Sequence, residues 1–144
     1  MSEVLIRKIW CTFGHPGTGT GDATVTERDK IAANYDPATV EMMRMRLRAG
    51  QSVLAAARGP NGPLAAGSYQ LADGVAEITG IGVLPASRRH GLGTAVTHAL
   101  AAHALARGAS TLFLSASDAA VARIYARLGF RQIGMAMIAE PPDA

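Results

Sequence analysis

A chain of 144 residues, 49% hydrophobic and 17% charged, can bury a real core but is too short for two ordinary domains, so residues 1–144 are expected to form one domain. That balance excludes a disordered or coiled-coil chain. A formal charge of +3, from 14 Lys+Arg against 11 Asp+Glu, with aromatics at only 5%, suits an anionic small ligand better than a nucleic acid. The single cysteine, Cys11, cannot make an intramolecular disulfide or a thiolate metal cluster. The amino-terminal MSEVLIRKIW lacks the apolar core of a signal peptide, and no apolar run reaches the length of a bilayer span. A cytoplasmic protein with no metal, membrane or nucleic-acid partner is expected.

In chain order, Val4 to Trp10 predicts a first strand, short and rich in β-branched residues. Gly14 to Asp22 carries four glycines and a proline and predicts a loop; its GTGTG run has the wrong spacing for a dinucleotide motif. Thr26 to Tyr35 is a short candidate helix. Asp36 to Arg48 is a stronger one, with Asp36 at the N-cap, Pro37 at the first helical position and Gly50 ending it. Val40, Met43 and Leu47 recur on it at helical spacing, and Met42, Met43 and Met45 are expected to fill core gaps. Gln51–Arg58, Leu64–Leu71 and Val75–Leu84 predict a three-stranded meander, turned at Pro60-Asn61-Gly62 and at Ala72-Asp73-Gly74.

Beyond the meander the pattern alternates. A helix is expected from Gly91 to Arg107, a strand from Thr111 to Ser115, a helix from Asp118 to Leu128 and a strand from Phe130 to Ile138, with Gly108 and Gly129 at the helix C-caps. Leu92, Val96 and Leu100 supply a buried face to the first of these helices; Val121, Ile124, Tyr125 and Leu128 supply one to the second. The implied fold is mixed α/β: an antiparallel first half, then a partly parallel sheet flanked by helices. Glu140 to Ala144 reads as a tail.

The richest stretch is Ile81 to Thr94, IGVLPASRRHGLGT, a strand-like run followed by a basic, glycine-containing turn that opens a helix. The first N–H groups of a helix have no partner within it, and its dipole is positive at that end, so this turn suits a phosphate. Gly91 and Gly93 let a pyrophosphate approach the backbone of Arg89, His90, Gly91, Leu92, Gly93 and Thr94, while Arg88 and Arg89 add charge. No Walker loop is present, and no acidic residue follows at the end of a second βα unit to hold an adenine ribose.

Ile81-Gly-Val-Leu-Pro, then Arg88-x-x-Gly-x-Gly, a helix, a strand and Tyr125-x-x-x-Gly129-Phe130 together resemble the GNAT superfamily of acyl-CoA-dependent N-acyltransferases. The resemblance is sharp from Glu77 to Phe130, whereas Val4 to Leu71 matches only in the order of elements. It implies a mixed sheet with a splayed parallel pair at the CoA site, acetyl-CoA as co-substrate, and transfer of an acetyl group to a primary amine within a ternary complex. The backbone of Ile81, Gly82 and Val83 would pair with the pantetheine arm, and the Arg89–Thr94 turn would hold the pyrophosphate. Tyr125 matches the tyrosine that protonates the departing thiolate, a role open to a phenol; the alternative is a core aromatic. Glu77 lies eleven residues before Arg88, where some members carry a general base, and a glutamate between Ala76 and Ile78 is otherwise unexpected on an interior strand.

Where the family often has an asparagine that contacts pantetheine, this chain has Asp118 after Ser117, so Asp118 is either a cofactor contact or a helix N-cap. His98 and His103 do not share a helix face, and His15 beside the glycine-rich loop is a candidate for the acceptor pocket. The acceptor is a small-molecule or peptide amine bound near residues 15–47, and members of the family are often homodimers. The rival reading is a CoA-binding or regulatory module that catalyses nothing.

Overall fold

The computed structural model describes residues 10–12 and 36–135. Among these residues five strands form one mixed sheet in the order β1 (Trp10–Thr12), β2 (Ser52–Gly59), β3 (Gly62–Ala72), β4 (Val75–Val83) and β5 (Thr111–Leu114). The helices are α1 (Pro37–Arg48), α2 (Leu92–Ala106) and α3 (Ala119–Arg127), and a 3-10 turn spans Pro85–Ser87. Trp10 is the only residue of the expected Val4–Trp10 strand that is described, and the Thr26–Tyr35 helix, the glycine-rich loop and His15 lie outside the described residues.

The meander β2–β3–β4 is antiparallel, as its turn chemistry predicts. At the β3–β4 turn Asp73 and Gly74 both have positive φ, 50° and 76°, which is what a two-residue type I′ hairpin demands and what an Asp-Gly pair tolerates. β4 and β5 run parallel, from Val75 opposite Thr111 to Ile78 opposite Leu114. β1 also lies parallel to β2, an arrangement that the long connection between Thr12 and Ser52 permits.

α2 packs across β2, β3 and β4 on one face of the sheet. Its predicted face of Leu92, Val96 and Leu100 is buried, joined by Ala99, Ala101 and Ala104. The sheet answers with Ala55, Ala57, Ala65 and Ala76, small side chains that let helix and sheet approach closely. Tyr69, 0% exposed, is the largest side chain in this core, and its hydroxyl lies 3.5 Å from His103 Nδ1. That contact gives a buried phenol a polar partner, so His103 serves the core.

Two expectations about burial fail. α1 is capped as predicted, with the Asp36 carboxylate accepting from the Thr39 N–H at 3.2 Å, but it buries none of its residues. Met42, Met43, Met45 and Leu47 are exposed. Met42 and Met45 lie around the helix from the Val40–Met43–Leu47 stripe, and arginines alternate with the apolar residues from Arg44 to Arg48, so no single face is apolar enough to be drawn in. α3 likewise has no fully buried residue: Val121, Tyr125 and Leu128 are half-buried and Ile124 is exposed. Its apolar face borders an open cleft, described below. Phe130–Met135 is irregular where a strand is expected, with no ladder partner among the described residues, and Ala136–Ile138 is outside them.

Candidate active site

β5 stops at Leu114, whereas β4 runs on for five residues past Ile78. A bulge lies in this extension. Ser68 pairs with Thr79 and Ala66 with Gly82, so the single Gly67 faces two residues, Gly80 and Ile81. Gly80 has φ +65°, the left-handed conformation that such a bulge favours in a glycine. The extra residue shifts the side-chain alternation by one: Ala76 and Ile78 face α2 before the bulge, and Ile81 and Val83 face it afterwards. Ile81 then covers Gly67, where any added Cβ would collide with Ile81 Cδ1 and lie 2.9 Å from Leu100 Cδ1.

The divergence of β4 from β5 opens a cleft of about 300 Å³, lined by Ile78, Thr79, Gly80 and Ile81 on one side and by Leu114, Ser115, Ser117, Val121 and Tyr125 on the other. Among the described residues no strand pairs with the cleft-side edge of β4 beyond Ile78. That edge presents backbone donors and acceptors to whatever extended group enters. Gly82 is exposed there; Val83 is half-buried and approaches Gly93 of α2.

The basic turn follows directly. Pro85–Ser87 forms the 3-10 turn, Arg88 is extended, Arg89 has φ +64°, and Gly91, at φ +71°, is the residue from which α2 begins. Gly91 has no side chain to cap the helix, and the Gly91, Leu92, Gly93 and Thr94 N–H groups donate to no acceptor among the described residues. Arg88, Arg89 and His90 are exposed, with His90 Nδ1 3.2 Å from the Ser87 carbonyl oxygen. The Leu92 side chain is buried at 6% exposure, so only its backbone is available at this turn. The donors and the helix dipole thus lie beside two exposed arginines at the end of the cleft edge, a combination that suits an anion.

Tyr125 stands on α3 one turn after Val121, and both line the cleft. Its ring lies 5.9 Å from that of Phe130, tilted by 59°, which fixes its orientation. Burial raises its hydroxyl pKa above the ordinary phenol value of 10.0, so it is a proton carrier throughout the neutral range. Asp118 is the N-cap of α3: its carboxylate accepts from the Val121 N–H at 2.9 Å and from Ser117 Oγ at 3.2 Å. The Val121 bond first, and Ser117 less, hold its pKa below the ordinary carboxylate value. Asp118 is absent from the cleft wall; its neighbour Ser117 is there instead.

Glu77 is exposed on β4 and is not part of the cleft wall. It shares a sheet face with Thr79, which is, and their Cα atoms lie roughly 6–7 Å apart at the usual strand rise. The strand that carries the cleft edge therefore also carries the carboxylate. Thr79, Ser115 and Ser117 are wall residues that sequence reasoning passes over, because the β4 bulge and the early end of β5 leave no motif. Val121 carries a signal, four residues before Tyr125 on the same helix face. Among the described residues no helix is long and apolar enough to cross a membrane, and no group of three or more His, Cys, Asp or Glu could hold a metal ion.

The model of the acetyltransferase (GNAT) family matches residues 24–130. Similar solved structures include an acetyltransferase of Trypanosoma brucei, 25% identical over 71% of this chain and 77% of that one, with a TM-score of 0.60. A predicted acetyltransferase with acetyl-CoA from Clostridium acetobutylicum is 17% identical, covering 85% of this chain and 92% of that one, with a TM-score of 0.61. The third is AAC(6')-Iy in complex with the bisubstrate analogue CoA-S-monomethyl-acetylneamine: 16% identity, 76% of this chain, 82% of that one and a TM-score of 0.62. No curated protein matches the chain. The splayed β4–β5 pair, the open helix N-terminus behind it and a match spanning most of the sequence place this chain in the GNAT family of acetyltransferases.

Proposed function

We propose that this protein transfers an acetyl group from acetyl-CoA to a primary amine by direct attack within a ternary complex. The observation that carries the reading is the cleft between β4 and β5 with the Tyr125 phenol in its wall and the donor-rich turn at its end. The residues fit acetyl-CoA. Free backbone groups along Ile81, Gly82 and Val83 suit the amides of a pantetheine arm, and the N–H groups of Arg89–Thr94 with Arg88 and Arg89 suit the pyrophosphate. Asp118, held by the α3 cap, acts on this site through the helix; Ser117 takes the contact at the wall.

An amine is mostly protonated at neutral pH and must lose a proton before it can attack. Glu77, directly or through one water, takes that proton. Nitrogen then attacks the thioester carbonyl, the C–N bond forms, the C–S bond breaks, and Tyr125 gives its proton to the departing sulfur. The nitrogen sheds its second proton as the amide forms, and solvent passes it to the Tyr125 phenolate, while Glu77 releases the proton it took to bulk water. A backbone N–H at the β4 edge near Val83 stabilises the developing oxyanion, commonly a large part of catalysis at acyl centres.

The test is free-thiol release from acetyl-CoA with and without a panel of primary amines. Stimulated release with a stoichiometric N-acetyl product is expected. CoA binding without stimulated release would replace the enzyme with a CoA-binding module.

A further inference from the structure

Three side chains lie in one row across the sheet: Gln70 on β3 opposite Glu77 on β4, and Glu77 opposite Phe113 on β5. Residues in register project to the same face, and here that face is the one away from α2, because Ala76, Ile78 and Leu112 fill the α2 side. Phe113 is 40% exposed, although the needs of the core at this strand are met by Leu112 and Leu114. Val75, next on this face of β4, is exposed as well. Toward the cleft the row gives way to hydroxyls, with Ser68 Oγ and Thr79 Oγ1 3.3 Å apart.

Adjacent strands are about 4.8 Å apart, so a cation paired with the Glu77 carboxylate comes within reach of the Phe113 ring. Glu77 thus separates an apolar end, Phe113 and Val75, from a hydroxyl end leading to the thioester. The next carboxylate along this hairpin, Asp73, sits at its tip beyond Val75. Among the described residues of this hairpin, a second ammonium reaching beyond Glu77 would therefore cross the apolar surface of Val75 before it met another carboxylate. We infer that the Gln70–Glu77–Phe113 row is the acceptor subsite and that it selects a monoamine with an apolar or aromatic body over a polyamine or an amino sugar. This rests on the transferase reading above, and it adds Phe113 as the residue that sets acceptor specificity.

Steady-state thiol release by the full chain, with acetyl-CoA and either 2-phenylethylamine, spermidine or glucosamine, tests it. 2-Phenylethylamine is expected to show the highest kcat/KM. Phe113→Ala should raise its KM roughly 3- to 10-fold, leaving the KM for acetyl-CoA in place, and Phe113→Leu, which keeps apolar volume, should show a smaller rise. Preference for spermidine or glucosamine, or an unchanged amine KM in Phe113→Ala, would overturn the acceptor assignment alone. Failure of every amine to stimulate thiol release, with CoA still bound, would overturn the transferase reading and this inference with it.

Discussion

Tyr125 and Asp118 stand seven residues apart, on one short helix and in the residue that caps it, yet do different work. Asp118 has both carboxylate oxygens engaged by Val121 and Ser117, so it builds the helix. Tyr125 has a wall position, an orienting ring neighbour and a pKa raised by burial. Removing only its hydroxyl in Tyr125→Phe keeps the contact with Phe130. If the phenol is the acid, turnover should fall roughly 10²- to 10⁴-fold, the usual range for a general acid, with little change in CoA affinity by calorimetry. Unchanged turnover would exclude the role. In that role the protonated phenol is the working form, and because burial raises its pKa, activity dependent on it should be retained through neutrality. It is lost only as pH rises through a value above 10.0, which a pH–rate profile would record as an alkaline limb. The cap and the tyrosine spacing are legible as residue types, whereas the two hydrogen bonds through which Asp118 caps α3 are seen only in the structure.

The elements that make the site are defined as much by where they end as by what they contain. β5 ends after four residues, and β4 bends at the Gly80 bulge; together these open the cleft. Sequence periodicity could not show the bulge, because a one-residue shift in alternation within VAEITGIGV is indistinguishable from imperfect patterning. Gly67 is the bulge's counterpart on β3, left without a side chain so that Ile81 can lie over it. Gly67→Ala should cost about 1–3 kcal/mol, as overpacking does, and should also weaken CoA binding by displacing Ile81 from the cleft wall. A lowered thermal midpoint together with a raised Kd for CoA is expected; a neutral effect on both would show that β4 does not depend on this close packing. The C-terminal glycines of α2 and α3 were readable in advance: Gly108 and Gly129 have φ of 87° and 99°, in the left-handed region where a helix-ending glycine belongs.

At the scale of the whole molecule, one face of the sheet holds the core under α2, and the proposed acceptor row lies on the other. Leu100, 0% exposed, lies at the centre of the α2 packing and near Ile81. Leu100→Ala should lower stability by about 2–5 kcal/mol, measurable by denaturant unfolding, without changing which amine is preferred, because the acceptor row lies on the opposite face. A change in amine preference would mean that the two faces are not independent. The residues alone determined the antiparallel meander, the α2 face of Leu92, Val96 and Leu100, the open basic turn into that helix and the tyrosine after it. Each of these rests on contacts local in sequence: alternation, helical spacing, caps and turns. Only the tertiary structure decided that the methionines of α1 stay exposed, that α3 lines a cleft instead of a core, and that Gln70, Glu77 and Phe113 form one row. Those outcomes depend on strand register and on where two parallel strands part, and both are set by packing between segments distant in the chain.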